Sequence, residues 1–203
     1  MHFRTTMPAT MNKWSAVAFS MVALVACGKD DKGKGGGGAG IAEKDGADGL
    51  KAVFEASHAA CNGKDFGKGK AIVTSLLPSK DQLKKIFKDD VADAKLDEIT
   101  AQYKEIPPDE QKVACIFAPP GRTEIKVHAS SVEDLVAYKE GTPSFEEFPG
   151  GAKRLAETVL KPGQTFYEVE VTEPGKDTGT KFHMFFWDGA HWRMLGPAWR
   201  AFN

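Results

Sequence analysis

The sequence predicts an α+β fold, in which N-terminal helices and a hairpin are followed by further helices and a C-terminal antiparallel meander. Apolar residues recur at helical spacing in several segments between residues 48 and 160, whereas the segments after residue 165 alternate with period two. This order predicts helices packed against one face of a sheet. A composition of 41% hydrophobic and 27% charged residues is typical of a globular domain with a single core.

Capping residues mark where the first helices begin. Asp48 can cap a helix that continues to residue 62. Ser79 and Gln82 form a capping-box pattern for the next helix, and helical spacing continues as far as the proline pair at 107–108.

The middle of the chain predicts a hairpin and then more helices. Residues 113–118 and 123–129 read as two strands because they flank a Pro-Pro-Gly turn. Ser130 and Glu133 form a second capping box, and residues 152–160 form a further helix.

The predicted meander has strands at residues 166–171, 182–187 and 192–195. The turn between the last two strands contains either two residues or four. This register stays open, although it decides which of the following side chains share a face of the sheet: His183, Phe185, Trp187 and Trp192. The order of all these elements loosely resembles that of the cone-shaped NTF2-like domains, so an NTF2-like cone is the alternative fold.

The N-terminal segment has the composition of an export signal. Residues 14–26 are apolar or small, follow Lys13 without any preceding acid, and are too few to span a bilayer. The segment ends in a motif that resembles the lipobox of bacterial lipoproteins: Leu24, Val25, Ala26 and Cys27. The resemblance implies that residues 1–26 are a signal peptide and that Cys27 is the lipid attachment site. The alternatives are an ordinary secretory signal and a buried apolar helix.

Residues 27–47 contain the lipidated cysteine and a tether rich in Gly, Lys and Asp, and residues 48–203 form a single globular domain. Gly28, and not an aspartate, follows Cys27. In lipoproteins this residue implies release to the outer membrane, so the resemblance implies a lipid-anchored protein of the cell envelope, at the outer membrane. Met11 is an alternative start to Met1.

With Cys27 assigned to the lipid, Cys61 and Cys115 remain, which is the count expected for one disulfide in an oxidising compartment. The disulfide would tie the first helix to the first strand. Two alternatives stay open: two buried free thiols, or a zinc site to which His58 contributes a third ligand.

Patterns for other cofactors and partners are weak. Gly28, Gly33 and Lys34 match part of a phosphate-binding P-loop, but Gly35 replaces the Ser or Thr that would bind magnesium. The Gly-x-Gly-x-x-Gly pattern that begins at Gly33 is expected by chance in such a segment. We therefore predict no cofactor and no metal. A net charge of −1 also argues against nucleic acid as a partner.

The C-terminal residues are the candidate ligand pocket, because aromatic rings and cations lie close together in sequence. The pocket would comprise His183, Trp187, Trp192, Arg193, Trp199 and Arg200. The alternative is that the tryptophans fill the core and the arginines lie at its rim.

The first functional hypothesis is a membrane-anchored lipoprotein with a periplasmic or surface-facing domain that binds an unknown protein or small molecule. No catalytic residues are evident in the sequence. The second hypothesis is an enzyme of the NTF2-like type in which His183 is the base, which requires a cavity lined by His183 and an acid.

Overall fold

The computed structural model describes residues 43–105 and 109–202. In these ranges the chain forms an α+β fold, with helices ahead of a C-terminal antiparallel meander, as predicted. The α-helices are α1 (Ala47–Asn62), α2 (Phe66–Ser75), α3 (Lys80–Ile86), α4 (Asp93–Gln102), α5 (Glu110–Ala114), α6 (Val132–Ala137), α7 (Pro143–Glu146) and α8 (Gly150–Thr158). Two short 3-10 helices cover Tyr103–Glu105 and Ala198–Phe202.

Four antiparallel strands form one sheet in the order β1-β2-β3-β4. They are β1 (Glu124–Ser131), β2 (Thr165–Thr172), β3 (Thr180–Trp187) and β4 (Trp192–Met194). The turn between β3 and β4 has four residues, since Trp187 pairs with Trp192. This register places Phe185, Trp187 and Trp192 on one face of the sheet.

The prediction that residues 113–118 form the first strand of a hairpin is wrong. Residues 110–114 form helix α5, which begins at Asp109, whose carboxylate accepts a hydrogen bond from the amide of Lys112 at 2.8 Å. Val113 and Phe117 are four residues apart and are buried in the same core. Residues four apart share a face in a helix and in a strand alike, so it is the Asp109 cap that favours the helix.

The capping predictions were partly confirmed. The box of Ser79 and Gln82 is present in full. However, Gly46 is the N-cap of α1 and Asp48 lies in its first turn. Ser131, and not Ser130, caps α6, since the Ser131 hydroxyl accepts a hydrogen bond from the amide of Asp134 at 3.0 Å. Helices α2 and α7 were not predicted, and the proline pair at 107–108 lies outside the described residues.

Helices pack on both faces of the sheet, not on one as expected. The first core contains Tyr167, Val169 and Val171 of β2 together with apolar residues of α1, α2 and α5. The second core contains Phe166 and Met184 together with apolar residues of α3, α4, α6 and α8. Successive residues of β2 therefore serve opposite faces, as the pleat of a strand requires.

The described part of the chain is attached to the sheet from its first residue. The carboxylate of Glu43 accepts a hydrogen bond from the backbone amide of Trp192 at 2.7 Å. The backbone carbonyl of Lys44 accepts a second one from the indole of Trp192 at 3.0 Å. Residues 43–47, which the sequence assigns to the tether, thus contact the domain. Over the described ranges, no helix combines the length and the apolar character that crossing a bilayer requires.

A disulfide joins Cys61, near the end of α1, to Cys115 at the end of α5. The predicted pairing is therefore present, although it links two helices and not a helix to a strand. The zinc alternative is contradicted because both sulfurs are bonded to each other. Its third member, His58, is buried and its Nε2 lies 2.7 Å from the carbonyl oxygen of Phe117.

Replacing both bridging cysteines should destabilise the domain. The bridge closes a segment with a sequence separation of 54 residues, and the chain-entropy model assigns about 4 kcal/mol to a loop of this size. We expect Cys61→Ser with Cys115→Ser to lower the free energy of unfolding by about 2–4 kcal/mol in urea titrations. An intact mass that does not change on reduction of the wild-type protein would contradict the bridge itself.

Candidate functional site

A group of charged side chains lies on the face of the sheet that also carries the second core. It is called the polar patch below and consists of His128 (β1), Glu147 (after α7), Glu168 and Glu170 (β2), and Lys181 and His183 (β3). The sheet register explains the grouping, because His128 pairs with Glu168 and Lys181 pairs with Glu170. Side chains of directly paired residues lie on the same face.

Glu168 and His183 form a buried acid–histidine pair. The Glu168 side chain is only 1% exposed, and its Oε2 lies 2.7 Å from Nδ1 of His183. Its Oε1 accepts a hydrogen bond from the backbone amide of Met184 at 3.2 Å. Burial raises the pKa of Glu168 above its ordinary value, although the hydrogen bond with His183 opposes this shift.

A β-bulge in β3 brings two of its residues to Glu168. Tyr167 pairs with Phe185 and Val169 pairs with Phe182, so β3 has one residue more than β2 between these pairs. Met184 has a φ of 60°, which is uncommon for a residue other than glycine. The bulge turns the imidazole of His183 and the amide of Met184 toward the same carboxylate. Bulges with strained residues are frequent next to functional sites.

Trp199 supports the ring of His183 from the C-terminal 3-10 helix. The two rings meet edge to face with their centroids 5.7 Å apart. Trp199 also packs directly on Gly151 of α8, where a Cβ atom would lie 2.4 Å from the indole. Any larger residue at position 151 would displace Trp199, and with it the support of His183.

His128, Glu147 and Glu170 converge in the other half of the polar patch. One ligand atom of each lies within 4.8 Å of the others. Nε2 of His128 is 3.8 Å from Oε2 of Glu147. This nitrogen is buried and has no hydrogen-bond partner within the described residues.

Lys181 is the cation nearest to these acids. Its Nζ lies 2.7 Å from Oε2 of Glu147. Burial raises the pKa of Glu147, but the Lys181 hydrogen bond and the charges of His128 and Lys126 outweigh it, so the pKa is lowered overall. Glu147 is therefore an ionised carboxylate at neutral pH.

The six residues of the predicted pocket do not form one site. Trp192 is fully buried in the first core, where Trp187 meets it edge to face. Arg193 is held by Asp188, whose Oδ2 is 2.8 Å from its Nε. Arg200 is exposed. His183 and Trp199 form one pair and Trp187 and Trp192 form another, for which the alternative of core filling describes the structure.

Sequence reasoning missed five of the six residues of the polar patch, all except His183. The alternation of Glu168 and Glu170 with valines predicts a strand with one solvent-exposed face, yet both glutamates are buried. A signal was present in the pairing of two acids on one strand with a histidine on each neighbouring strand. It becomes visible only when the register of the sheet is known.

No protein-family model, no curated protein and no solved structure matches the chain. The NTF2-like alternative therefore stays a prediction, and the function has to be argued from the site.

Replacing Glu168 by glutamine should change how stability depends on pH. Because the folded-state pKa is raised, the carboxyl group favours folding in its protonated form, below its unfolded pKa, and this contribution is lost as the pH rises through the folded pKa. Glutamine keeps an acceptor for His183 without a charge. We expect Glu168→Gln to become progressively more stable relative to wild type in urea titrations as the pH rises from about 4, near the unfolded pKa of a glutamate, through the raised folded-state pKa.

The matched control for this variant is Glu173→Gln, which changes an exposed glutamate in the turn after β2. Its stability relative to wild type should hardly vary with pH. A constant difference for Glu168→Gln across the same range would show that Glu168 titrates like an exposed glutamate.

Proposed function

We propose that the chain is a lipid-anchored lipoprotein of the bacterial cell envelope whose folded domain binds a small ligand at the polar patch without transforming it. The observation that carries the binding role is the burial of Glu168 and Glu170 in the middle of the sheet, beside an imidazole nitrogen of His128 that has no partner among the described residues. Apolar residues of similar size would commonly stabilise such a site equally well or better. Binding of a ligand gives a reason for the charges to be there.

The lipobox-like motif that ends at Cys27 supports the proposed location in the cell envelope, as does the composition of the segment that follows it. The bridge between Cys61 and Cys115 is in keeping with export, because disulfides persist mainly in oxidising compartments. An anchored domain that binds a small ligand would hold that ligand close to the membrane surface.

The second candidate function is an enzyme that uses His183 as a general base. The observation in its favour is the 2.7 Å contact with Glu168, which orients the ring through Nδ1 and leaves Nε2 for a substrate. The His183 side chain is 32% exposed, so solvent and small molecules reach it. This candidate predicts that a bound molecule is altered and that His183→Asn binds it without altering it.

The proposed lipid anchor is testable in a living bacterium. We expect the full chain, expressed in the presence of an alkyne-bearing fatty acid, to become labelled and to partition with the membranes. Cys27→Ala should abolish both, since one defined thiol starts the modification. The matched control, Cys61→Ser with Cys115→Ser, keeps Cys27 and should be labelled like wild type. Equal labelling of Cys27→Ala would contradict the anchor.

The binding role of the polar patch predicts an unusual pattern of stability. We expect the combination His128→Leu, Glu147→Leu, Glu170→Gln and Lys181→Leu to leave the free energy of unfolding unchanged or to raise it by about 1–4 kcal/mol. Glutamine is chosen at 170 because Glu170 accepts a hydrogen bond from the amide of Gly179 at 2.7 Å.

Lys181→Leu alone is the control for the combined variant, because it leaves Glu147 without its cation and should be destabilising. Urea titrations measure both. If the combined variant were the less stable of the two, the patch would be a structural network and the proposed binding role would fail.

A further inference from the structure

We propose that His128, Glu147 and Glu170 bind one divalent transition-metal ion, for which Zn²⁺ is the best match. This inference rests on the proposed function, because it names the ligand of the polar patch. It also replaces the earlier expectation that the protein has no metal site.

The donor set is suited to zinc. Imidazole nitrogen and carboxylate oxygen are both common zinc ligands, and open zinc sites combine three protein ligands with one exchangeable position. One histidine and two glutamates supply those three ligands here. The fourth position would then be free for water or for a donor atom of a further molecule.

The three ligands are positioned by separate parts of the fold. His128 lies on β1, Glu170 lies on the adjacent β2, and Glu147 follows helix α7, which packs against β1. Ligand atoms of a tetrahedral zinc site are about 3.4 Å apart when each bond is about 2.0–2.2 Å. His128 and Glu147 are already close to this value at 3.8 Å, and all three ligand atoms lie within 4.8 Å of one another. Rotation of the Glu147 side chain, which no strand constrains, would bring its carboxylate closer to Nε2 of His128.

The nitrogen of His128 provides an independent observation. Nε2 is buried and has no hydrogen-bond partner within the described ranges. It lies 3.8 Å from Oε2 of Glu147. A buried polar atom without a partner destabilises the folded state, because its lost hydration is not replaced. A bond to a metal ion would remove this cost.

Glu170 is held in the way that metal ligands commonly are. Its side chain is buried, and its Oε1 accepts a hydrogen bond from the backbone amide of Gly179. At position 179 a Cβ would lie 2.2 Å from the carbonyl oxygen of Val171, so only glycine allows this approach. Such outer-shell hydrogen bonds fix the orientation of a metal-binding carboxylate.

Lys181 competes with the proposed ion. Its ammonium group lies 2.7 Å from Oε2 of Glu147 and would have to leave when the ion binds. The Lys181 side chain is 31% exposed, so it can turn toward solvent. Removal of this amine should therefore strengthen metal binding, which is the opposite of what a purely structural salt bridge predicts.

The test is a titration of the purified full chain with Zn²⁺ in competition with a chromophoric chelator. We expect one ion per chain, and we expect His128→Ala and Glu170→Gln each to weaken binding more than about tenfold. Lys181→Met should bind Zn²⁺ several-fold more tightly than wild type. His191→Ala, which removes an exposed histidine outside the polar patch, should bind like wild type.

Failure to bind Zn²⁺, equal affinity of His128→Ala and wild type, or no gain in Lys181→Met would each overturn the metal site. Circular dichroism of every variant confirms that the domain is folded. The proposed function fails on a different measurement, the stability of the fourfold variant. A stable fourfold variant without zinc binding in wild type would therefore leave a binding patch with another ligand.

Discussion

The burial of two carboxylates in the middle strand of the sheet constrains the surrounding structure. Glu168 and Glu170 have lost most of their hydration, and such groups are tolerated only when other polar groups compensate them. His183 and the amide of Met184 compensate Glu168, whereas the amide of Gly179 compensates Glu170. The bulge in β3 and the close approach at Gly179 both follow from this requirement, since each brings a backbone amide to a carboxylate.

The opposite face of the same strand explains how the sheet tolerates this arrangement. Tyr167, Val169 and Val171 are buried against α1, α2 and α5 in a core that is rich in aromatic rings. The bond between Cys61 and Cys115 fixes two of these helices to each other. The apolar side chains that stabilise the domain are thus gathered on this face and in the second core.

The sequence predicted those parts of the fold that depend on local patterns. The meander follows from alternation and turns, the start of α3 from its capping box, and the disulfide from the count of cysteines. It failed at residues 113–118, where the local signal of the Asp109 cap was passed over in favour of the Pro-Pro-Gly turn. The site was hidden for a different reason. The pairing of Glu168 with His183 depends on an extra residue in β3, and no local pattern reports such a bulge.

The bulge at Met184 also bears on how this protein can diverge in evolution. Because β3 has one residue more than β2 requires, loss of Met184 would restore a regular ladder in which Phe182 still faces Val169 and Lys181 still faces Glu170. Every flanking side chain would keep its face, whereas the second core would lose the Met184 side chain and Glu168 would lose the hydrogen bond from the Met184 amide. An alignment of related chains can therefore open a one-residue gap here. Such a gap would separate chains that retain the bulge and its backbone hydrogen bond to the acid from chains that keep only the acid–histidine pair.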